Sequence, residues 1–355
     1  QAIGIFIWFC HFYTIKKIIS FRIMKHLKLF LESIEKGLPN HITLNQALIK
    51  TLKINKDAAS RRINGKTPFT YSEVCALSKA FGVNLNPAQS NLHSNVVFGY
   101  VPFKSKQVDS KHFFQTISNL LQEMSTQKNA HLMHLAPEVP VYHCYNYPKL
   151  LNFRLFYWGK YLLNNPYYSK RIFNEVEIDA NITKHAKKSY DNYCTVPSTE
   201  IWTPQTIQSI LSQLHFCIET GDFSNKEEVE SVLAEVSQMM QRIKQMTEEN
   251  NKAFDHDKKL NVPFLFYKID VNINTSNLLA VMDNTTISYQ QFNAINFMST
   301  TQSDFCEENL EWIQNIQSKS SLLSGAGIVE RQRFFNSVNK QINEFKDGLC
   351  KVDFG

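Results

Sequence analysis

No C-x-x-C pair occurs in this 355-residue chain, and its seven cysteines (Cys10, Cys75, Cys144, Cys194, Cys217, Cys306 and Cys350) are odd in number and widely scattered. That excludes a zinc ribbon and a disulfide framework, and it points to a reducing compartment, expected here to be the cytoplasm. Long apolar runs are also missing. The longest, IGIFIWFCHFY, spans 11 residues near the start, short of the ~20 that cross a bilayer. It has no basic stretch ahead of it and no small-residue cleavage site behind, so it is a poor secretory signal. A phosphate-binding loop is wanting too. Ser324-Gly325-Ala326-Gly327 is read as lacking the strand before, the helix after and the further glycine that such a loop needs.

No catalytic constellation stands out, and the chain is read as a non-enzyme without metal or redox cofactor. His131 and His134 lie in a stretch that reads as strand, with no third ligand nearby, and are taken as structural. Asp255-His256-Asp257 reads as a solvated connection. His143-Cys144 resembles a nucleophile pair only by proximity, because neighbours in a strand point to opposite faces. The aromatic crowd of Tyr142, Tyr145, Tyr147, Phe153, Phe156, Tyr157 and Trp158 reads as core first and as a ligand pocket second.

What the chain does have is residues 43–85, TLNQALIKTLKINKDAASRRINGKTPFTYSEVCALSKAFGVNL. Thr43 with Gln46, and Thr70 with Glu73, fit the S/T-x-x-E/Q capping box. Asn55 is a good N-cap for the basic middle helix, and Gly65 and Gly82 close the second and third helices. Leu44, Leu48 and Leu52, then Val74, Leu77 and Phe81, recur at helical spacing, as do Leu27, Phe30, Leu31 and Ile34 in an earlier helix at about 24–36. Only Lys53, Ile54 and Asn55 separate Leu52 from Lys56, which forces a tight turn and a steep crossing of the flanking helices.

This run resembles the Cro and phage-repressor family of helix-turn-helix domains. The family pattern ends in N-G-K-x-P and then L-x-K-x-F/L-G-V; here the same places hold Asn64-Gly65-Lys66-Thr67-Pro68 and Leu77-Ser78-Lys79-Ala80-Phe81-Gly82-Val83. The resemblance covers residues 24–86 and implies that they bind double-stranded DNA. Two departures are visible. Lys53 stands at the turn position usually held by glycine, and Ala59 replaces the β-branched core residue, leaving Ile63 to fill the space. By the same resemblance Lys56, Asp57, Ser60 and Arg61 occupy base-reading positions. Arg61 can donate to guanine O6 and N7, and Asp57 can accept from cytosine N4. Arg62, Lys66 and the backbone at Thr67 are assigned to phosphate, which positions without reading sequence. On charge alone these cations read as a solvated helix face; the flanking pattern turns them toward nucleic acid.

The formal net charge of +6 is unevenly placed. Residues 24–86 hold ten Lys and Arg against four Asp and Glu, residues 1–23 add three cations, and the rest of the chain is at −3. A basic module on a slightly acidic body suits a binder that gains affinity by counterion release. Residues 1–23 are read first as an extension upstream of a start at Met24. A membrane-associating segment with Lys16, Lys17 and Arg22 at the headgroups is the second reading, and a core element the third.

The rest is divided into a linker at 87–95 and an α+β body at 96–350. Strands are expected at Val96–Val101, His131–Leu135, Val139–Tyr145, 264–271, 278–283 and around 285–298. Helices are expected at 109–127, 148–163, 204–220, 225–251, 304–319 and 327–346. With no helix between successive strands, the sheet is expected to be small and antiparallel, giving a mostly α, α+β protein. In the 225–251 helix, Val229, Val232, Val236, Met239, Ile243 and Met246 step by three and four, as a coiled-coil seam does and as a buried face also does. A small reader ahead of a larger body resembles bacterial one-component regulators. That implies a transcription regulator acting as a homodimer, with a small-molecule effector in the body. Two alternatives stand beside it: an enzyme or nucleotide-handling body that carries the reader for targeting, and an interaction protein tethered to the membrane by residues 1–23.

Overall fold

The computed structural model describes residues 27–35, 37–38, 42–83, 96–100, 110–252, 261–283, 285–292 and 296–350. The expected extension at 1–23, the linker at 87–95, Val101 and Asp255-His256-Asp257 lie outside them. The chain divides into two compact units, Gln1–Val97 and Phe98–Gly355.

The regular elements among the described residues of the first unit are helices: α1 at 27–35, α2 (Leu44–Leu52), α3 (Lys56–Ile63) and α4 (Tyr71–Phe81). Local chemistry sets each start. Both capping boxes form, with Gln46 N donating to Thr43 Oγ1 at 3.3 Å and Glu73 N to Thr70 Oγ1 at 3.2 Å. Asn55 Oδ1 accepts from Ala58 N at 2.8 Å. Phe30, Leu31, Ile34, Leu44, Leu48, Ala59 and Leu77 are buried together, and Ile63 packs against them beside the small Ala59. Lys53 ends α2 at φ 53°, the left-handed conformation that costs an L-residue ~1 kcal/mol.

In the second unit the elements run β1 (Gly99–Tyr100), α5 (Ser110–Ser125), β2 (His131–Ala136), α6 (Val141–Cys144), α7 (Pro148–Tyr157), α8 (Pro166–Ser169), α9 (Ala180–Tyr193) and β3 (Ser198–Trp202). Then follow α10 (Gln208–Glu219), α11 (Lys226–Glu249), β4 (Phe264–Lys268), β5 (Asn277–Met282), β6 (Thr285–Gln291), β7 (Phe297–Thr300), α12 (Ser303–Ser318), β8 (Ser321–Leu322) and α13 (Ile328–Leu349). The last turn of α7 widens into a π-helical stretch at Trp158–Leu162.

One eight-stranded sheet has the order β1-β7-β6-β5-β2-β3-β4-β8. The antiparallel expectation is corrected at its centre, where β2, β3 and β4 are parallel. The cause is local. The Val139–Tyr145 strand expectation fails because Pro140 leads the segment into α6, and β3 and α9 are additional to the expected elements. The helices from α6 to α9 then carry the chain from β2 to β3, and α10 and α11 carry it from β3 to β4, which is what parallel neighbours require.

Both faces of the parallel core are covered. Met133, Leu135, Ile201 and Leu279 on one face pack with Ile313 of α12. On the other, Ala136, Trp202, Phe264 and Phe266 join a large core with residues of α7, α10, α11 and α13. The seam of α11 belongs to that core. Val229, Val232, Val236, Met239, Ile243 and Met246 are each at most 1% exposed, so the stripe is an internal packing face.

Candidate nucleic-acid interface

The α2–turn–α3 segment is where the sequence-derived site residues come together. Lys56, Asp57, Arg61 and Lys66 are exposed, and Ser60 and Thr67 are half-buried. Asp57 sits in the first turn of α3, where a carboxylate is favoured by the helix dipole. Lys56, Arg61 and Lys66 make no ion pair among the described residues. Asn64 Nδ2 donates to Ser60 O at 2.8 Å and lies 3.3 Å from Ser60 Oγ, so Ser60 is held within its own helix.

Two of the residues assigned to phosphate have partners within the first unit. Arg62 faces inward: its Nη2 donates to Glu73 Oε1 at 2.8 Å, its Nε to Glu73 Oε2 at 3.1 Å and its Nη1 to Ala58 O at 3.3 Å. The bonds from Arg62 hold the Glu73 carboxyl below the usual carboxylate range. The backbone of Thr67 is engaged as well, because the N–H groups of Lys66 and Thr67 both donate to Arg61 O, at 2.8 and 3.2 Å. Sequence spacing alone missed Glu73 as a partner; its place in a capping box masked its second role. Tyr71 is 82% exposed at the start of α4.

A second polar constellation lies in the body, built from residues with no local pattern in common. Glu200, fully buried in the middle of β3, accepts from His143 Nε2 at 2.9 Å, Tyr193 OH at 2.5 Å, Trp202 Nε1 at 3.0 Å and Tyr142 OH at 3.1 Å. His134 bridges Tyr142 OH at 2.9 Å and Ser276 Oγ at 3.0 Å. Lys252 is buried with its Nζ 3.4 Å from the centre of the Tyr193 ring, donating to Val196 O at 2.7 Å and Tyr193 O at 3.1 Å. Burial alone would raise the Glu200 carboxyl, but His143 and the bonds from His143 and Tyr193 bring it to about 2. Burial pushes Lys252 down to about 7 and His134 to about 4. The network joins β2, α6, α9 and β3 around one carboxylate, with Lys252 beside it, and bonds of this kind rigidify a core.

The other sequence candidates resolve as packing. Cys144 is buried, and burial pushes its thiol to about 11, away from nucleophilic reactivity. The aromatic crowd divides between two cores, Tyr142, Tyr145 and Trp158 in one and Tyr147, Phe153 and Phe156 in the other, with Tyr157 against both. Ser324–Gly327 does lie between a strand, β8, and a helix, α13, contrary to the sequence reading. Its second glycine is needed for packing, since a Cβ on Gly327 would stand 2.1 Å from Leu322 O. Among the described residues no cluster of three or more His, Cys, Asp or Glu is placed to hold a metal ion, and no helix is long and apolar enough to cross a membrane. Comparison with protein-family models, curated proteins and solved structures gives no match to this chain.

Proposed function

We propose that the chain is a sequence-specific DNA-binding transcription regulator, with residues 27–83 as a helix-turn-helix reader and the second unit as a sensing or dimerising body. The observation that carries this is the α2–α3 pair: a three-residue turn, a capped second helix, and Lys56, Asp57 and Arg61 exposed on it with no ion pair among the described residues. Helices so joined suit major-groove entry, with the second helix against base edges. Arg61 reads guanine, Asp57 reads cytosine, and Lys66 neutralises phosphate. A reader this small covers few base pairs, so two copies acting on half-sites a helical turn apart are part of the reading. Genome-wide mapping of bound DNA tests it: one recurrent palindrome supports a dimeric regulator, and scattered, motif-free occupancy counts against it.

The parallel β2-β3-β4 core favours one second reading, a nucleotide-handling body that carries the reader for targeting. Open parallel sheets take ligands at the carboxyl ends of their strands. Native mass spectrometry of the full chain with a panel of nucleotides separates the two: stoichiometric nucleotide binding supports this reading.

A further inference from the structure

Arg62 is the one arginine of α3 that turns back into its own domain. Its fork on Glu73 joins two helices across eleven residues of chain, and the two side chains are only 16% and 18% exposed. Three of its five N–H donors are committed, two to Glu73 and one to Ala58 O in the preceding turn. Glu73 is committed twice: Oε2 also accepts from Thr70 N at 2.9 Å, completing the cap that starts α4. One carboxylate therefore fixes the last turn of α3 and the first turn of α4 together. A phosphate contact that drew Arg62 outward would break these three bonds and strand a partly buried carboxylate. Arg61, next to it and exposed, faces no such cost.

We infer that Arg62 and Glu73 are positioning residues of the reader: their paired bonds set the pose of α3, and Arg62 is not among the cations that neutralise DNA. The inference rests on the DNA-reading function proposed above. Base readout needs side chains held within about 0.5 Å and 10–20° of their working geometry, and a bidentate Arg–carboxylate pair supplies that directional constraint. Lysine cannot replace it, being a point charge without the planar fork. This gives the test its leverage, because lysine does serve at a phosphate.

The experiment uses the full chain and a pool of random-sequence duplexes. The best duplex is selected with the wild type, and its affinity and that of the unselected pool are measured against KCl concentration. Three variants are compared, each first shown to keep its thermal transition above the assay temperature. Arg62→Gln removes the charge, Arg62→Lys keeps a charge without the fork, and Glu73→Gln keeps a capping-box residue without the carboxylate. The expected result is at least a tenfold loss of preference for the selected duplex in all three, with the salt slope of Arg62→Gln unchanged. Should Arg62→Gln fail to fold, the other two variants carry the comparison. A salt slope lower by about one in Arg62→Gln, the mark of a lost phosphate contact, overturns the inference, as does unchanged preference in Arg62→Lys and Glu73→Gln. Failure of the wild type to bind any duplex refutes the reader assignment itself, and that shows before any variant is made.

Discussion

Four neighbouring side chains on one short helix have different surroundings, and those surroundings divide the labour. Arg61 and Lys56 are exposed and free of carboxylates among the described residues; Arg62 is bound to Glu73 and Ser60 to Asn64. On the DNA-reading account, Arg61→Ala weakens binding to the selected duplex by about 1–3 kcal/mol and relaxes one base position. Lys66→Ala weakens all sequences alike and lowers the salt slope by about one. Binding isotherms on matched and single-base-changed duplexes at several salt concentrations distinguish these outcomes. Lys53 offers a test of stability at the same scale. With φ at 53°, a β-branched residue is strained there, so Lys53→Ile is expected to destabilise the first unit by about 1–2 kcal/mol in urea unfolding. An unchanged midpoint would contradict the left-handed turn.

At the scale of elements, the helices of the first unit are legible in the sequence and those of the second only in part. Helix starts are written in local chemistry, and Thr43, Asn55 and Thr70 cap where their spacing indicated. Most body helices showed in their apolar period. β3 did not show, because its five residues carry Glu200 at the centre and a strand so short has little pattern to offer. Parallel pairing and the partners of Glu200 depend on long-range contacts that spacing cannot encode. The α11 stripe was legible as apolar but not as internal, since a seam and a buried face share one period. Its burial gives a prediction: Val236→Lys places an unpaired charge in the core and costs more than about 4 kcal/mol, unfolding the body outright. Calorimetry showing a retained body transition would contradict that packing.

At the scale of the whole molecule, three largely or fully buried groups that titrate below neutral pH shift in the same direction. Glu200 falls from 4.5 to about 2, and His131 and His134 from 6.5 to about 4. In each case the unfolded chain takes up a proton at a higher pH than the folded one. Their stabilisation is therefore complete above about 6.5, and it is lost as pH falls, through the histidines first and through Glu200 below 4.5. Thermal unfolding of the full chain is expected to show the body melting progressively earlier from pH 7 to pH 4. A flat or rising melting temperature over that range would mean the Glu200 network is not closed as described.

The central claim is that residues 27–83 read DNA sequence, and selection from a random duplex pool with the full chain, run in parallel for wild type and Arg61→Ala, tests it most directly. The account predicts one enriched motif of two half-sites about one helical turn apart, with one base position per half-site losing its preference in the variant. No enriched sequence with the wild type, or an identical motif from both proteins, would contradict it.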